Sequence, residues 1–236
     1  MNFEFGMEEF VYWRHPTLPC IKVEEITEGD GFSGAAWLEG ARQIYGENGR
    51  EEYREIGHYQ NGAPFLYNSA ARISVTHCPG LLAVATLPDT PEVQLSEYSD
   101  RAALGIDAER NDRVQAQKLR DRFLSSDELS MIPADDVRQN VLAWTIKEAV
   151  YKAALTEGLD FREQIHISRM PKLGPATPVF DVKEFGDFTQ ADYGRSEVLD
   201  ADGKRREFIL YSYESDDFII TLAYSPRSSR FNKKPM

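Results

Sequence analysis

The sequence predicts an α+β chain built as two similar lobes. Three observations carry that expectation. Residues 142–155, LAWTIKEAVYKAAL, contain no Gly or Pro, are rich in helix formers and are followed by Gly158, the pattern of a helix with a stop signal. After Gly158, the segments QIHISRM, PVFDVKEF, EVLDADGKRREFILYSYES and DDFIITLAYS alternate apolar and polar residues around a DADG turn, as an antiparallel sheet with a hairpin does. At coarse level each half of the chain runs strands and helix, then strand, with no strict sequence repeat.

The 236 residues allow one large domain or two of about a hundred residues each. With 42% hydrophobic and 28% charged residues the composition is that of an ordinary globular protein. No apolar run approaches the roughly 20 residues of a membrane span. MNFEFGMEEF carries acidic residues where a signal peptide carries basic ones, so a cytoplasmic location without membrane attachment is expected. Cys20 and Cys78 fit no metal spacing and read as free thiols, Cys78 lying close to a candidate site. A net charge of −12 argues against nucleic acid as a partner. The charge is uneven: residues 1–100 hold 6 Lys and Arg against 16 Asp and Glu, residues 101–236 hold 21 against 23. An anionic ligand must therefore be met by a few placed cations or a metal.

In chain order, the YW pair near residue 12 and CIKVEEI read as strands. Residues 33–43 form a plausible helix with Ser33 near its N-cap and Arg42 at its end, where the helix dipole favours a cation. Residues 45–59, charged and Gly-punctuated, read as loop or short helix. Asn61-Gly62 is a turn signal. Ile73 and Val75 alternate with Ser74 and Thr76 in a strand that ends at His77, and residues 81–87 form a buried strand. A Thr-His pair at a strand end is either structural or part of a site.

Residues 103–109, ALGIDAE, read as a strand whose alternation points Asp107 and Glu109 the same way. Two neighbouring carboxylates are tolerated if solvated, or if a cation sits between them. Residues 111–123 suggest an amphipathic helix, after which Ser125 or Ser126 can cap a turn. In the 142–155 helix, Trp144, Glu148, Tyr151 and Leu155 share a side, flanked by Lys147 and Lys152. The helix is apolar on nearly every side, which predicts burial, and buried charges need partners. Either Glu148 and Lys152 form a structural ion pair, or these charges line a cleft. The last eleven residues read as a frayed basic tail.

SVTH, GIDAE and WTIKEAVYK, in that order, together resemble the signature of 4′-phosphopantetheinyl transferases of the monomeric, surfactin-type class. NGAPFL resembles the family's Gly-x-Pro turn, RFLSSDEL its RF(F/L)S..E segment and FIITLAYSP its closing strand. The resemblance implies a pseudo-dimer of two lobes, residues 1–100 and 101–225, followed by the tail 226–236, with coenzyme A in the cleft between them. It implies Mg²⁺-dependent transfer of the phosphopantetheine arm to a serine of an apo acyl or peptidyl carrier protein, releasing adenosine 3′,5′-bisphosphate. The carriers of fatty-acid, polyketide and non-ribosomal peptide synthesis are all candidates.

By the same resemblance Asp107, Glu109 and Glu148 match the metal ligands, and Lys152 matches the lysine on the transferred phosphate. Thr76 and His77 match a Ser-His pair that holds phosphates of coenzyme A, and Arg42 matches an arginine of the first lobe. Glu148 is the candidate base, directly or through water; Lys147 either contacts a phosphate or closes an ion pair. Trp144 and Tyr151 are expected to pack between the lobes. Ala63 stands where the family's turn has a lysine, Thr76 where it has a serine, and Ala108 where it has a larger aliphatic residue. Arg110, Arg113, Lys118, Arg120 and Arg122 either face an acidic carrier protein or form a solvated helix face. The alternatives to a transferase are a non-catalytic protein that binds coenzyme A or a carrier, and a Mg²⁺-dependent phosphohydrolase.

Overall fold

The computed structural model describes residues 11–13, 20–25, 43–45, 51–53, 55–67, 72–87, 103–175, 194–199, 203, 205–214 and 216–225. Residues 33–42 of the expected helix, Arg42 among them, the PVFDVKEF segment and the tail lie outside them, while Gln43, the expected last helical residue, begins a strand. Among the described residues the architecture is α+β, as expected, and no helix is long and apolar enough to cross a membrane.

Residues before 88 form a four-stranded antiparallel sheet from β1 (Val11–Trp13), β2 (Cys20–Glu25), β7 (Arg72–Cys78) and β8 (Leu81–Leu87), in the order β1-β2-β8-β7. Two hairpins accompany it: β3 (Gln43–Tyr45) with β4 (Glu51–Tyr53), and β5 (Ile56–His58) with β6 (Pro64–Leu66). These strands correct the expectation of loop or short helix over residues 45–59. Each is only three residues long, too short for alternation to show, and is held by its pairing rather than by propensity. The Asn61-Gly62 turn forms as expected: Gly62 takes φ +80°, and the Ala63 N–H donates to Asn61 Oδ1 at 3.1 Å.

The second sheet has the order β10-β12-β13-β14-β9, from β9 (Ala103–Arg110), β10 (Ile165–Arg169), β12 (Gly194–Leu199), β13 (Arg205–Glu214) and β14 (Phe218–Ser225), all antiparallel. β11 (Leu173–Pro175) adds a short parallel pairing to the far end of β13. Gly203, at φ +74°, lies in the turn between β12 and β13.

Between β9 and β10 come α1 (Val114–Lys118), α2 (Arg120–Phe123), α3 (Ser126–Met131) and α4 (Val137–Ala154). The single helix expected over residues 111–123 is interrupted at Leu119, whose ψ of 4° leaves the helical basin. Ser125 caps α3 through a full capping box with Glu128. α4 begins at Asp136, which accepts the Gln139 N–H at 3.0 Å, and ends where Leu155 turns left-handed at φ 54°.

Strand alternation then decides which side chains meet. Leu104, Ile106 and Ala108 of β9, with Ile220 and Leu222 of β14, pack against Leu81, Ala83 and Ala85 of the first sheet. The opposite face, with Ala103, Ile219 and Ala223, packs under Leu142, Ile146, Ala149, Val150 and Ala153 of α4. A buried hydroxyl chain fastens the helix down: Thr145 Oγ1 meets Thr221 Oγ1 at 2.8 Å, and Thr221 meets Ser212 at the same distance. Gly105 lies on this helix-facing side, and a Cβ there would collide with the Ala149 carbonyl and stand 2.7 Å from the Ala153 nitrogen. The absent side chain sets how closely α4 lies on β9.

Candidate functional site

Two residues beyond Gly105 on the same face of β9 is Asp107; one residue before Ala149 and Ala153 on α4 are Glu148 and Lys152. The close approach at Gly105 therefore brings these charges together. Lys152 Nζ donates to Asp107 Oδ1 at 2.7 Å and to the Ile106 carbonyl at 3.1 Å. The ion pair that i,i+4 spacing suggested between Glu148 and Lys152 is replaced by one from α4 to β9. Glu109, next on the same face, is ion-paired with Arg113, whose guanidinium also lies 5.9 Å from the centre of the Trp144 ring.

The first sheet reaches the same place. Among the described residues no strand ladder joins β7 to β9; side-chain hydroxyls make the junction instead. Ser74 Oγ accepts the Ile106 N–H at 3.0 Å, and Thr76 Oγ1 donates to Asp107 Oδ1 at 3.0 Å. His77 follows, exposed, at the strand end.

Thr76, His77, Asp107, Glu109, Glu148 and Lys152 all line one cavity of about 440 Å³. A neighbouring cavity of about 220 Å³, lined among others by Tyr59, Arg72, Leu104 and Tyr151, shares Lys152, Gly62, Pro64 and Val75 with it. The β5–β6 hairpin and Lys152 thus stand between two chambers, one carrying the carboxylates and the other more apolar.

Burial dominates the electrostatics. It pushes the Asp107 carboxyl up, against the pull of Lys152 and the Thr76 hydrogen bond. The Glu148 carboxyl is pushed up to about 7, first by burial and then by Asp107, with Lys152 and Arg113 opposing. Burial and the Lys152 charge hold His77 below its ordinary value. Among the described residues Glu148 has no hydrogen-bond or ion-pair partner, and Asp107 Oδ2 is buried without a hydrogen bond. A buried bare carboxylate oxygen beside a second, unpartnered carboxylate fits a hard cation, which takes oxygen ligands. The trio is not closed around such an ion: among the described residues no three His, Cys, Asp or Glu side chains are gathered to hold a metal. Lys152 and Arg113 occupy part of two of the three acids.

Lys147 is placed elsewhere: of the two roles open to it, it closes an ion pair, and its side chain does not reach the cavity as a coenzyme A contact would require. Its ammonium is fully buried, 2.7 Å from Glu128 Oε2 and 2.8 Å from the Phe161 carbonyl, with the Ile165 carbonyl as third acceptor. An ammonium has three hydrogens, and all three are taken. Burial pulls its pKa down while Glu128 opposes the shift. Glu128 is itself filled, accepting the Ser125 and Ile167 N–H groups.

Trp144 stacks edge-on to Phe123 at 5.1 Å, Trp144 and Tyr151 both contact Phe161, and each also lines a cavity whose facing wall comes from residues 56–77. Cys78 is a free thiol, as expected, and sits in the core, pushed up to about 12 first by burial and then by the Asp107 charge. Of the five basic residues, Arg120 turns inward to Asn140 and the Ile132 carbonyl, Arg110 pairs with Asp112 and Asp217, and Arg113 pairs with Glu109. Lys118 and Arg122 stay exposed. Sequence reasoning had not placed Arg113 and His58 on the cavity wall. The Glu109-Arg113 spacing was its one available signal, crossing from strand into helix where no periodicity applies.

A family model described as the 4′-phosphopantetheinyl transferase superfamily matches residues 103–221, half of the chain. The chain belongs to that superfamily. No curated protein matches the sequence. Members of the superfamily act with coenzyme A on carrier proteins, so membership supports a transferase. The α+β architecture is compatible with the superfamily's fold. The matched segment carries Asp107, Glu109, Glu148 and Lys152, whereas Thr76 and His77 precede it.

Proposed function

We propose that the protein transfers the 4′-phosphopantetheine arm of coenzyme A to a serine of an apo carrier protein and releases adenosine 3′,5′-bisphosphate. It is read as a surfactin-type member acting as a monomer, with residues 1–100 and 101–225 as the two lobes of a pseudo-dimer. The observation that carries the reading is Lys152, which stands between two adjoining chambers beside three carboxylates.

Lys152 uses two of its three N–H donors on Asp107 and Ile106. The third is left for an oxygen of the transferred phosphate, where negative charge grows as the bond to the leaving bisphosphate breaks. The serine oxygen forms the new bond to phosphorus, and its proton passes to Glu148, directly or through one water. Without a cation, burial and Asp107 raise the Glu148 carboxyl to about 7, and a bound cation would pull it down toward the ionised form that accepts a proton. His77, and Arg42 by its resemblance alone, would hold the remaining phosphates. Mg²⁺ bound by Asp107, Glu109 and Glu148 would neutralise the repulsion between these acids and a pyrophosphate.

The rival reading, a coenzyme A- or carrier-binding protein without catalysis, draws on the engagement of Asp107 by Lys152 and of Glu109 by Arg113. Incubation with coenzyme A, Mg²⁺ and a panel of apo carriers, followed by intact-mass measurement, separates the two. Transfer to a carrier serine supports the first; tight coenzyme A binding without transfer to any carrier supports the second.

A further inference from the structure

Thr76 belongs to one sheet and Asp107 to the other, and the hydrogen bond between them is the point at which the first sheet touches the acid cluster. Both residues are buried, with Thr76 4% and Asp107 6% exposed. Asp107 Oδ1 receives two donors, the Thr76 hydroxyl at 3.0 Å and the Lys152 ammonium at 2.7 Å. Oδ2 is buried and makes no hydrogen bond, although the adjacent Ala108 N–H also favours the ionised carboxylate. A quarter-turn of the carboxylate about its Cβ–Cγ bond would take both donors' acceptor away, so the two bonds fix the plane of the group, with one oxygen satisfied and the other bare.

The direction of the Thr76 bond has a chemical consequence. A hydroxyl has one hydrogen, and here it is committed to Asp107. Only lone pairs remain, and an ionised phosphate offers them no donor. Two residues earlier on the same side of β7, Ser74 accepts the Ile106 N–H, so the hydroxyl edge of β7 grips β9 on both sides of the Ile106-Asp107 peptide.

We propose that Thr76 is a positioning residue for Asp107: its hydroxyl keeps Oδ2 presented as the bare oxygen for a divalent cation, and it does not bind a phosphate of coenzyme A. This rests on the reading of Asp107 as a cation ligand given above. It departs from what the resemblance to Ser-His pairs implies for Thr76, and it leaves His77, exposed on the cavity wall, to meet the phosphate.

The test compares Thr76→Val, which keeps the shape and loses the hydroxyl, with Thr76→Ser, which keeps the hydroxyl. Mn²⁺ titration followed by EPR without coenzyme A reads the cation site; calorimetry with coenzyme A in EDTA reads the phosphate site. Thr76→Val is expected to weaken Mn²⁺ binding by about 10-fold or more, as loss of a hydrogen bond to a metal-binding carboxylate does. Thr76→Ser is expected to restore it, with coenzyme A affinity in EDTA unchanged in both. Should Thr76→Val fail to fold, Thr76→Ala serves as the second hydroxyl-free variant. Unaltered Mn²⁺ affinity in a folded hydroxyl-free variant, or loss of coenzyme A affinity in EDTA, overturns the proposal. A wild-type protein that binds coenzyme A but no divalent cation overturns it together with the metal reading, and does so before any substitution is made.

Discussion

Gly105 and Ala149 are in backbone contact: β9 and α4 lie so close that a Cβ on Gly105 would strike the Ala149 carbonyl oxygen. The glycine of the GIDAE stretch therefore acts through packing, by letting α4 settle where Lys152 reaches Asp107. Gly105→Ala is expected to destabilise the protein by about 1–3 kcal/mol or more, the cost of overpacking a close interface. Urea unfolding reads this directly, and an unchanged midpoint contradicts the account.

The buried Lys147–Glu128 pair makes a second prediction. Lys147→Met leaves Glu128 buried without its cation and is expected to cost about 3–5 kcal/mol. Adding Glu128→Gln removes the stranded charge and is expected to recover part of that loss. Additive losses in the double variant, measured by the same unfolding curves, would show that the two side chains do not act as a pair.

Glu148 makes stability depend on pH in a definite direction. Its folded pKa of about 7 lies above its ordinary value of 4.5, so between those values the folded state keeps a proton that the unfolded chain has lost. The contribution favours folding below about pH 4.5 and fades as pH rises through 7. In EDTA, Glu148→Gln should therefore stabilise the protein at pH 8, by about 1–3 kcal/mol, and change little at pH 4.5. Thermal melts across that range check it; a difference independent of pH contradicts it.

Much of this arrangement was legible in the sequence because alternation and helical spacing act locally. GIDAE read correctly as a strand placing Asp107 and Glu109 on one face, residues 142–155 as a buried helix, and Asn61-Gly62 as a turn. What stayed hidden depends on contacts between distant residues. Nothing in KEAVYK distinguishes Lys147, sealed against Glu128 nineteen residues earlier, from Lys152, which faces the cavity; only the rotation of α4 on its sheet decides. The three-residue strands of residues 43–58 are too short to carry a period, and α1 and α2 divide at Leu119 without a Gly or Pro to announce it.

Arg113 limits the site from within. It holds Glu109 by an ion pair beside Trp144 and adds a positive charge to a cavity read as taking a cation. Arg113→Ala frees Glu109 and is expected to tighten Mn²⁺ binding by a few fold, since an opposite charge no longer competes for the carboxylate. Weaker binding in that variant would instead make Arg113 a support of the cation site.

The central claim is that Glu148 and Lys152 on α4 perform a transfer from coenzyme A. The most direct measurement is intact-mass analysis of an apo carrier protein after incubation with Mg²⁺, coenzyme A and either the wild type, Glu148→Gln or Lys152→Ala. The account predicts addition of the phosphopantetheine mass to one serine by the wild type, and a rate lower by about 100-fold or more in each folded variant. Wild-type rates in either variant would remove that residue from the chemistry and contradict the account.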